Sequence, residues 1–288
     1  MPDIALHNST KQQLELFIEH PTHAVALGGP AGSGKTTLAY WLVAKLLKSS
    51  VEKLETYPYL QVISPEGTSI SIEAIRQLNN FLKLKTLGKE SLRRFIIIEH
   101  ADKLTIEAQN ALLKSLEEPP SDTLIILTLE NDKTVLPTVI SRLQFIAVHV
   151  PSKAELRALF KDVEDPKFNQ AYSLSGGLPG LTHALLTNSS EHLLTNAVEQ
   201  AKQLLQAQST FERLQFTDEL VKHKENAIAL LQALKRISVT SLSQEAHKNN
   251  LKALGRWQQI LTATQRAEDA LLRGAQTKLV LTNLMLSL

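Results

Sequence analysis

The sequence predicts a parallel α/β domain built around a phosphate-binding loop, followed by segments made only of helices. Three observations carry this expectation. The run Gly29-Pro30-Ala31-Gly32-Ser33-Gly34-Lys35-Thr36 fits G-x-x-x-x-G-K-[ST] at every fixed position. Short, wholly apolar runs alternate with amphipathic stretches up to about residue 150, as strands buried on both faces require. Beyond Ser152 no strand pattern recurs.

Each element can be justified in order. Leu14, Phe17 and Ile18 recur at i, i+3, i+4, so Gln12–Glu19 reads as a helix. Ala24-Val25-Ala26-Leu27 is the first buried strand, and the glycine-rich run follows it directly. Glycine lets the backbone approach a ligand closely, and successive N–H groups then line one concavity for anionic oxygens. Lys35 supplies a point charge for the β- and γ-phosphates, and the Thr36 hydroxyl suits Mg²⁺. Thr37 opens the helix that runs to Leu47, whose amino end adds partial positive charge. Gly29, Pro30, Ala31, Gly32, Ser33, Gly34, Lys35, Thr36 and Thr37 are therefore the candidate nucleotide-binding residues. A nucleoside triphosphate is implied; hydrolysis is not.

Tyr59–Ile63 reads as a second strand and Ser71–Leu84 as an amphipathic helix. Phe95–Ile98 and Leu124–Leu127 read as central strands, Thr105–Glu118 as a helix stopped by Pro119-Pro120, and Phe145–Val148 as a last strand. Short helices are expected at Ser152–Phe160 and Lys167–Ser173, a break at Gly176–Gly180, and long amphipathic helices from Ser190 to Leu288.

Composition sets outer bounds. With 288 residues there is room for two or three domains, and 43% hydrophobic content is ample for their cores. The absence of cysteine rules out disulfides and thiolate metal sites and suits a reducing compartment. No apolar stretch is long enough to cross a bilayer and no signal peptide is read at the start, so a cytoplasmic location is expected. A formal net charge of only +2 does not announce nucleic-acid binding.

The strand Phe95–Ile98 ends in Glu99-His100-Ala101-Asp102. An acid at this place often holds Mg²⁺ in phosphate-loop ATPases, and Glu99 is the candidate; closing off the strand is its plainer role. His100 stands where an activating Glu would orient water, and an imidazole is a poor substitute for a fixed carboxylate.

The segment Phe95–Pro120, with Asn110–Pro120 the most specific part, resembles the core signature of bacterial DNA polymerase III clamp-loader subunits. The likeness extends through Ser69–Leu78, Leu136–Arg142 and Thr277–Leu284. It implies an AAA+ phosphate-loop core at 1–150, a small helical lid at 151–188 and an all-α collar at 189–288. It further implies ATP or ADP with Mg²⁺ as cofactors. Its partners would be the other clamp-loader subunits of a pentameric ring, a sliding clamp and primed DNA, with no membrane involved.

Departures from the family pattern narrow the choice. Motor subunits carry Asp-Glu where this chain has Glu99-His100, a lid arginine where Gly180 stands, and a cysteine-ligated zinc module that is absent. Each departure points to a delta-prime-like subunit, although some of those have a ruined phosphate loop and this one is intact. The resemblance makes Arg142 an arginine finger offered in trans to a neighbour's ATP, the plainer role being a salt bridge within the domain. Leu143 replaces the cysteine common after that arginine. Thr128 is a candidate γ-phosphate sensor with the register open by one position. Lys114, Glu117 and Glu118 face solvent, a neighbour or DNA. Lys222, Lys224, Lys235, Arg236, Lys248, Lys252 and Arg256 read by default as solvated helix surface. Two rivals stay open: a self-sufficient AAA+ ATPase using His100 or Asp102, and a nucleotide-binding scaffold of a DNA-repair complex.

Overall fold

The computed structural model describes residues 5–87, 92–187, 193–221, 224–248 and 250–288. The chain divides into two compact units, Met1–Leu159 and Phe160–Leu288. The helices expected at 151–188 fall on both sides of that division.

The first unit runs α1 (Asn8–Glu19), β1 (Ala24–Gly28), α2 (Lys35–Leu46), β2 (Leu60–Ile63), α3 (Ile72–Leu82), β3 (Arg94–Ile98), α4 (Ile106–Glu117), β4 (Thr123–Leu129), α5 (Pro137–Ile140), β5 (Gln144–Ala147) and α6 (Lys153–Leu159). The strands form one sheet in the order β2-β3-β4-β1-β5, every neighbouring pair parallel. β1, β3 and β4 are buried along their whole length, as their unbroken apolar runs require. The period of two then splits their side chains between two cores. Val25, Leu27, Phe95, Ile97, Leu124 and Ile126 pack with Leu14 and Phe17 of α1 and Leu38 and Leu42 of α2. Ala26, Ile96, Ile98, Ile125 and Leu127 pack with Ile75 and Leu78 of α3 and Leu112 and Leu116 of α4.

Two boundaries differ from expectation for polar reasons. α1 starts one turn early, where Asn8, Ser9, Thr10 and Lys11 give no apolar period. The Ser9 amide donates to His7 Nδ1 at 3.2 Å and caps the helix. Thr10 Oγ1 donates to the Ala147 carbonyl at 2.8 Å and accepts from the His149 amide at 3.1 Å, stitching that turn to the end of β5. β3 begins at Arg94, which is 2% exposed. Its guanidinium donates to the carbonyls of Leu82, at 2.6 Å, and Leu84, and lies 5.6 Å from the Phe81 ring centre. A strand cation thus closes the carboxyl end of α3, where unpaired carbonyls and the helix dipole favour positive charge.

The second unit contains α7 (Asp165–Ser175), α8 (Pro179–Thr187), α9 (Leu193–Gln206), α10 (Thr210–Leu220), α11 (Lys224–His247), α12 (Leu251–Leu272) and α13 (Thr277–Ser287). Leu230, Leu231 and Leu234 of α11 form the middle of its core with Val198 and Ala201 of α9, Leu271 of α12 and Leu281 and Leu284 of α13. α7 ends where Gly176 takes φ 62°, a left-handed turn that glycine adopts at little cost. Arg236 of α11 donates to the Ser175 carbonyl there, and Thr240 donates to the Ser173 carbonyl at 2.9 Å. Arg236 is therefore a half-buried helix cap, whereas its sequence context suggested a solvated cation. Lys235 pairs with Glu268 at 2.9 Å and Lys248 with Glu245 at 2.8 Å. Lys222 lies outside the described residues.

Two predictions follow from these caps and charges. Arg236→Met keeps the apolar stem but strands the α7 carbonyls, and should lower the stability of the second unit by about 2 kcal/mol, read by thermal unfolding. Unchanged unfolding would show that the cap does not hold α7. The second concerns Asp122, at the start of β4. Burial alone would raise its carboxyl pKa, but the Thr86 hydroxyl and the charges of Arg94 and Arg93 outweigh burial and leave it below the ordinary 3.8. The native state then holds fewer protons than the unfolded chain, so this stabilisation is complete above pH 3.8 and fades as pH falls below it. Asp122→Asn should cost about 1–2 kcal/mol at pH 7 and flatten that acid limb, checked by denaturant titrations across the range.

Candidate nucleotide-binding site

Because all five strands run the same way, every β-to-α loop of the first unit leaves from one edge of the sheet. That carboxyl edge is where open α/β sheets take ligands. The phosphate loop, Glu99, Glu130 and the Val148–Val150 segment all lie there, after β1, β3, β4 and β5.

The loop is fixed at its base by both neighbours of β1. The Gly29 amide donates to the Leu129 carbonyl at 3.1 Å, and the Val148 amide donates to the Gly28 carbonyl at 2.6 Å. A Cβ on Gly29 would run into the Val148 carbonyl oxygen, so the close approach itself demands glycine. Gly32 and Gly34 take φ 76° and 89°. Gly34 caps α2 without a side-chain hydrogen bond, which leaves the first-turn amides of Lys35, Thr36 and Thr37 without a side-chain cap. Ser33 is 2% exposed and its hydroxyl has no hydrogen-bond partner. Glycines in left-handed turns, an uncapped helix start and an orphaned hydroxyl together fit a phosphate-bearing ligand.

Lys35 is 5% exposed and donates from Nζ to the carbonyls of Gly29 and Pro30, both at 2.8 Å. Burial lowers its pKa, while the carboxylates of Glu130 and Asp102 act the other way. The ammonium is thus held inside the loop it would serve.

The strand ends supply the remaining groups. Glu99 accepts from Ser64 Oγ at 2.8 Å and from the Tyr40 hydroxyl at 3.3 Å. Tyr40 belongs to α2, one helical turn beyond Thr36, so Glu99 and Thr36 face the same end of the sheet. Burial first, and Glu99 second, raise the Tyr40 pKa, which keeps the hydroxyl a donor. Carboxylate and threonine oxygens suit Mg²⁺. Among the described residues there is no group of three or more His, Asp and Glu placed to hold a metal. His100 takes φ 51°, and its amide donates to Thr128 Oγ1 at 2.9 Å. Thr128 lies opposite Leu27 of β1. His100 Nδ1 stands 3.6 Å from Glu130 Oε1, and Asp102 Oδ1 accepts from the Glu130 amide at 3.1 Å. Glu130, Tyr40 and Ser64 join these groups only through the fold. Glu130 carries no distinct signal, since Thr128 interrupts the apolar run ahead of it.

Arg142 lies elsewhere. It precedes β5, on the amino edge of the sheet, and the four residues of β5 rise about 3.3 Å each away from it. Arg142 Nη2 meets Glu117 Oε1 at 2.6 Å, and Nη1 donates to the Thr138 carbonyl at 2.7 Å. Its side chain is 34% exposed and that of Glu117 50%. Both roles read from the sequence keep a physical basis: the salt bridge is present, and the cation is at the surface. Gly180 is an exposed residue in the first turn of α8, in the other unit.

Comparison with known proteins places these features. The profile of a family described as "DNA polymerase III, delta subunit" matches residues 7–152, half of the chain. The DNA polymerase III subunit delta′ of Pseudomonas aeruginosa is 31% identical over 207 residues, covering 65% of this chain and 62% of that protein. The DNA polymerase III subunit delta′ of Bacillus subtilis is 33% identical over 157 residues, 49% of this chain and 47% of that one. The chain thus spans less than two thirds of the length of these curated relatives. A DNA polymerase III gamma subunit-related protein of Thermotoga maritima shares the fold, with a TM-score of 0.57 at 19% identity over 97% of this chain and 98% of that one. With the strand order of the sheet, this bears out the expected AAA+ core followed by a helical carboxyl-terminal region.

The loop base yields its own prediction. Gly29→Ala pushes against backbone, whereas Gly28→Ala meets only the outer ring atoms of Phe145. Gly29→Ala should therefore cost about 2–3 kcal/mol in unfolding free energy, more than Gly28→Ala. Equal losses would mean that the loop base can shift freely.

Proposed function

We propose, for a chain that belongs to the DNA polymerase III delta-subunit family and is delta-prime-like within it, the role of a non-motor subunit in an ATP-driven clamp loader. It joins the other loader subunits in a ring of five, in the cytoplasm, and helps to place a sliding clamp on primed DNA. Residues 1–150 act as the AAA+ core, 151–188 as a lid and 189–288 as the collar that joins the ring.

Within that role the loop Gly29–Thr37 holds ATP or ADP. Lys35 and the first-turn amides of α2 hold its phosphates, and Thr36 and Glu99 hold Mg²⁺, which neutralises phosphate charge. Hydrolysis by this chain alone is weak or absent. His100 replaces the carboxylate that would orient water, and its backbone is fixed in a left-handed turn by Thr128.

Arg142 acts on the nucleotide of a neighbouring subunit. The observation that carries this reading is its place on the amino edge of the sheet, across β5 from the chain's own phosphate loop. A cation there can leave Glu117 at little cost, since exposed ion pairs are worth about 1 kcal/mol or less.

Arg142→Ala separates the two roles. An arginine finger contributes about 10³–10⁵ in rate at the site it serves. In a loader reconstituted with primed DNA, the variant should lower ATP turnover at the adjoining site by about 10³ and shift its own folding stability by less than about 1 kcal/mol. Turnover equal to the unaltered loader would defeat the trans role.

A further inference from the structure

Glu99 is held by two other elements. Its amide donates to the Ile63 carbonyl at 2.8 Å and so extends the pairing of β3 with β2. Each carboxylate oxygen then accepts a separate hydroxyl. Oε2 takes Ser64 Oγ, just past β2, at 2.8 Å, and Oε1 takes the Tyr40 hydroxyl of α2 at 3.3 Å. The half-buried Tyr40 ring packs against the core that β1, α1 and α2 share, so its hydroxyl is aimed by packing. A carboxylate accepts at about four lone-pair positions, so two hydroxyls leave room for a cation or its water.

Tyr40 follows Thr36 by one helical turn. The two side chains therefore share a face of α2, with Cβ atoms about 5–6 Å apart. Helical side chains lean toward the amino end, so a tyrosine covers the turn ahead of its own Cα. For Tyr40 that is the turn of Thr36, the first of the helix that follows the phosphate loop. No sheet hydrogen bond joins that loop to Glu99, because β4 lies between β1 and β3. Tyr40 supplies a bond across the gap.

We propose that Tyr40 is a positioning residue that presents Glu99 to Mg²⁺ at the phosphate loop. Mg²⁺ demands near-ideal geometry and is held by one or two protein carboxylates together with phosphate and water. Thr36 and Glu99 offer oxygens from two separate elements, and Tyr40 sets one against the other. Its neutral hydroxyl orients the carboxylate without cancelling the charge. Loss of that hydroxyl frees Glu99 to turn, and removing such outer partners typically weakens metal affinity 10–100-fold.

This inference rests on the reading of Thr36 and Glu99 as the oxygens that hold the cation, and one set of titrations separates the two. ADP is titrated calorimetrically into the full chain in EDTA and at a series of Mg²⁺ concentrations. Unaltered protein, Tyr40→Phe, Glu99→Gln and the double variant are compared after thermal melts verify folding. The quantity read is the Mg²⁺ concentration that gives half of its full effect on ADP affinity. Tyr40→Phe should raise it about tenfold. Glu99→Gln should raise it at least as far, and the double variant no further, since Tyr40 acts only through the carboxylate. An unmoved concentration in Tyr40→Phe would overturn the proposal. That holds even if ADP weakens in EDTA, because the tyrosine would then only pack α2. Additive losses in the double variant would overturn it as well. If Glu99→Gln leaves the concentration unmoved, the cation reading falls and the proposal with it. Absence of ADP binding in every buffer would remove the nucleotide-binding reading itself.

Discussion

The parallel pairing of β1 between β4 and β5 is the constraint on which the first unit depends. It ties Gly28 and Gly29 to Val148 and Leu129 through backbone bonds, leaving no room for a Cβ at Gly29. It puts Thr128 beside Leu27 and so delivers Glu130 to the mouth of the loop. The same parallel sense sends the chain back across the sheet before each strand. Arg142, just ahead of β5, is thereby kept off the edge that carries the loop. A charge that stabilises phosphoryl transfer must touch the transferring group. One sheet thus sets a glycine-rich loop at one edge and a surface cation at the other, the separation on which the proposed trans role rests.

A second device recurs in both units. Arg94 closes the carboxyl end of α3, and Arg236 closes that of α7. Arg94 is buried and Arg236 half-buried, and each satisfies carbonyl oxygen that would otherwise be stranded. Hydrogen bonds from a charged donor are worth about 1.5–3 kcal/mol, more than an exposed ion pair yields. In each case the cation comes from a neighbouring element, so the cap also fixes how the elements pack. For α7 this ties the first helices of the second unit to α11.

Much of the fold was legible because burial on both faces leaves an unmistakable mark. Ala24–Leu27, Phe95–Ile98 and Leu124–Leu127 are uninterrupted apolar runs, and each is a central strand. The first turn of α1 was not legible. Its stability comes from Thr10 bonding to β5, a contact between residues 137 positions apart. Arg236 reads as solvated surface, and Arg94 falls outside the expected strand, for a related reason: a cation normally marks solvent, and only the fold shows that each meets a helix end. In the site, the loop announced itself because its backbone geometry restricts residue type. Glu130 did not, since an acid after a strand means nothing until the sheet order sets it beside Gly29.

The central claim is that this chain keeps a nucleotide-binding loop while its catalytic contribution lies at another edge, for another subunit. Steady-state ATP hydrolysis by the purified full chain, measured beside Lys35→Ala, tests it most directly. The account predicts that the unaltered chain turns over ATP no faster than the Lys35→Ala baseline, even where nucleotide binding is detected. Robust turnover that Lys35→Ala abolishes would contradict it and make the chain a self-sufficient ATPase.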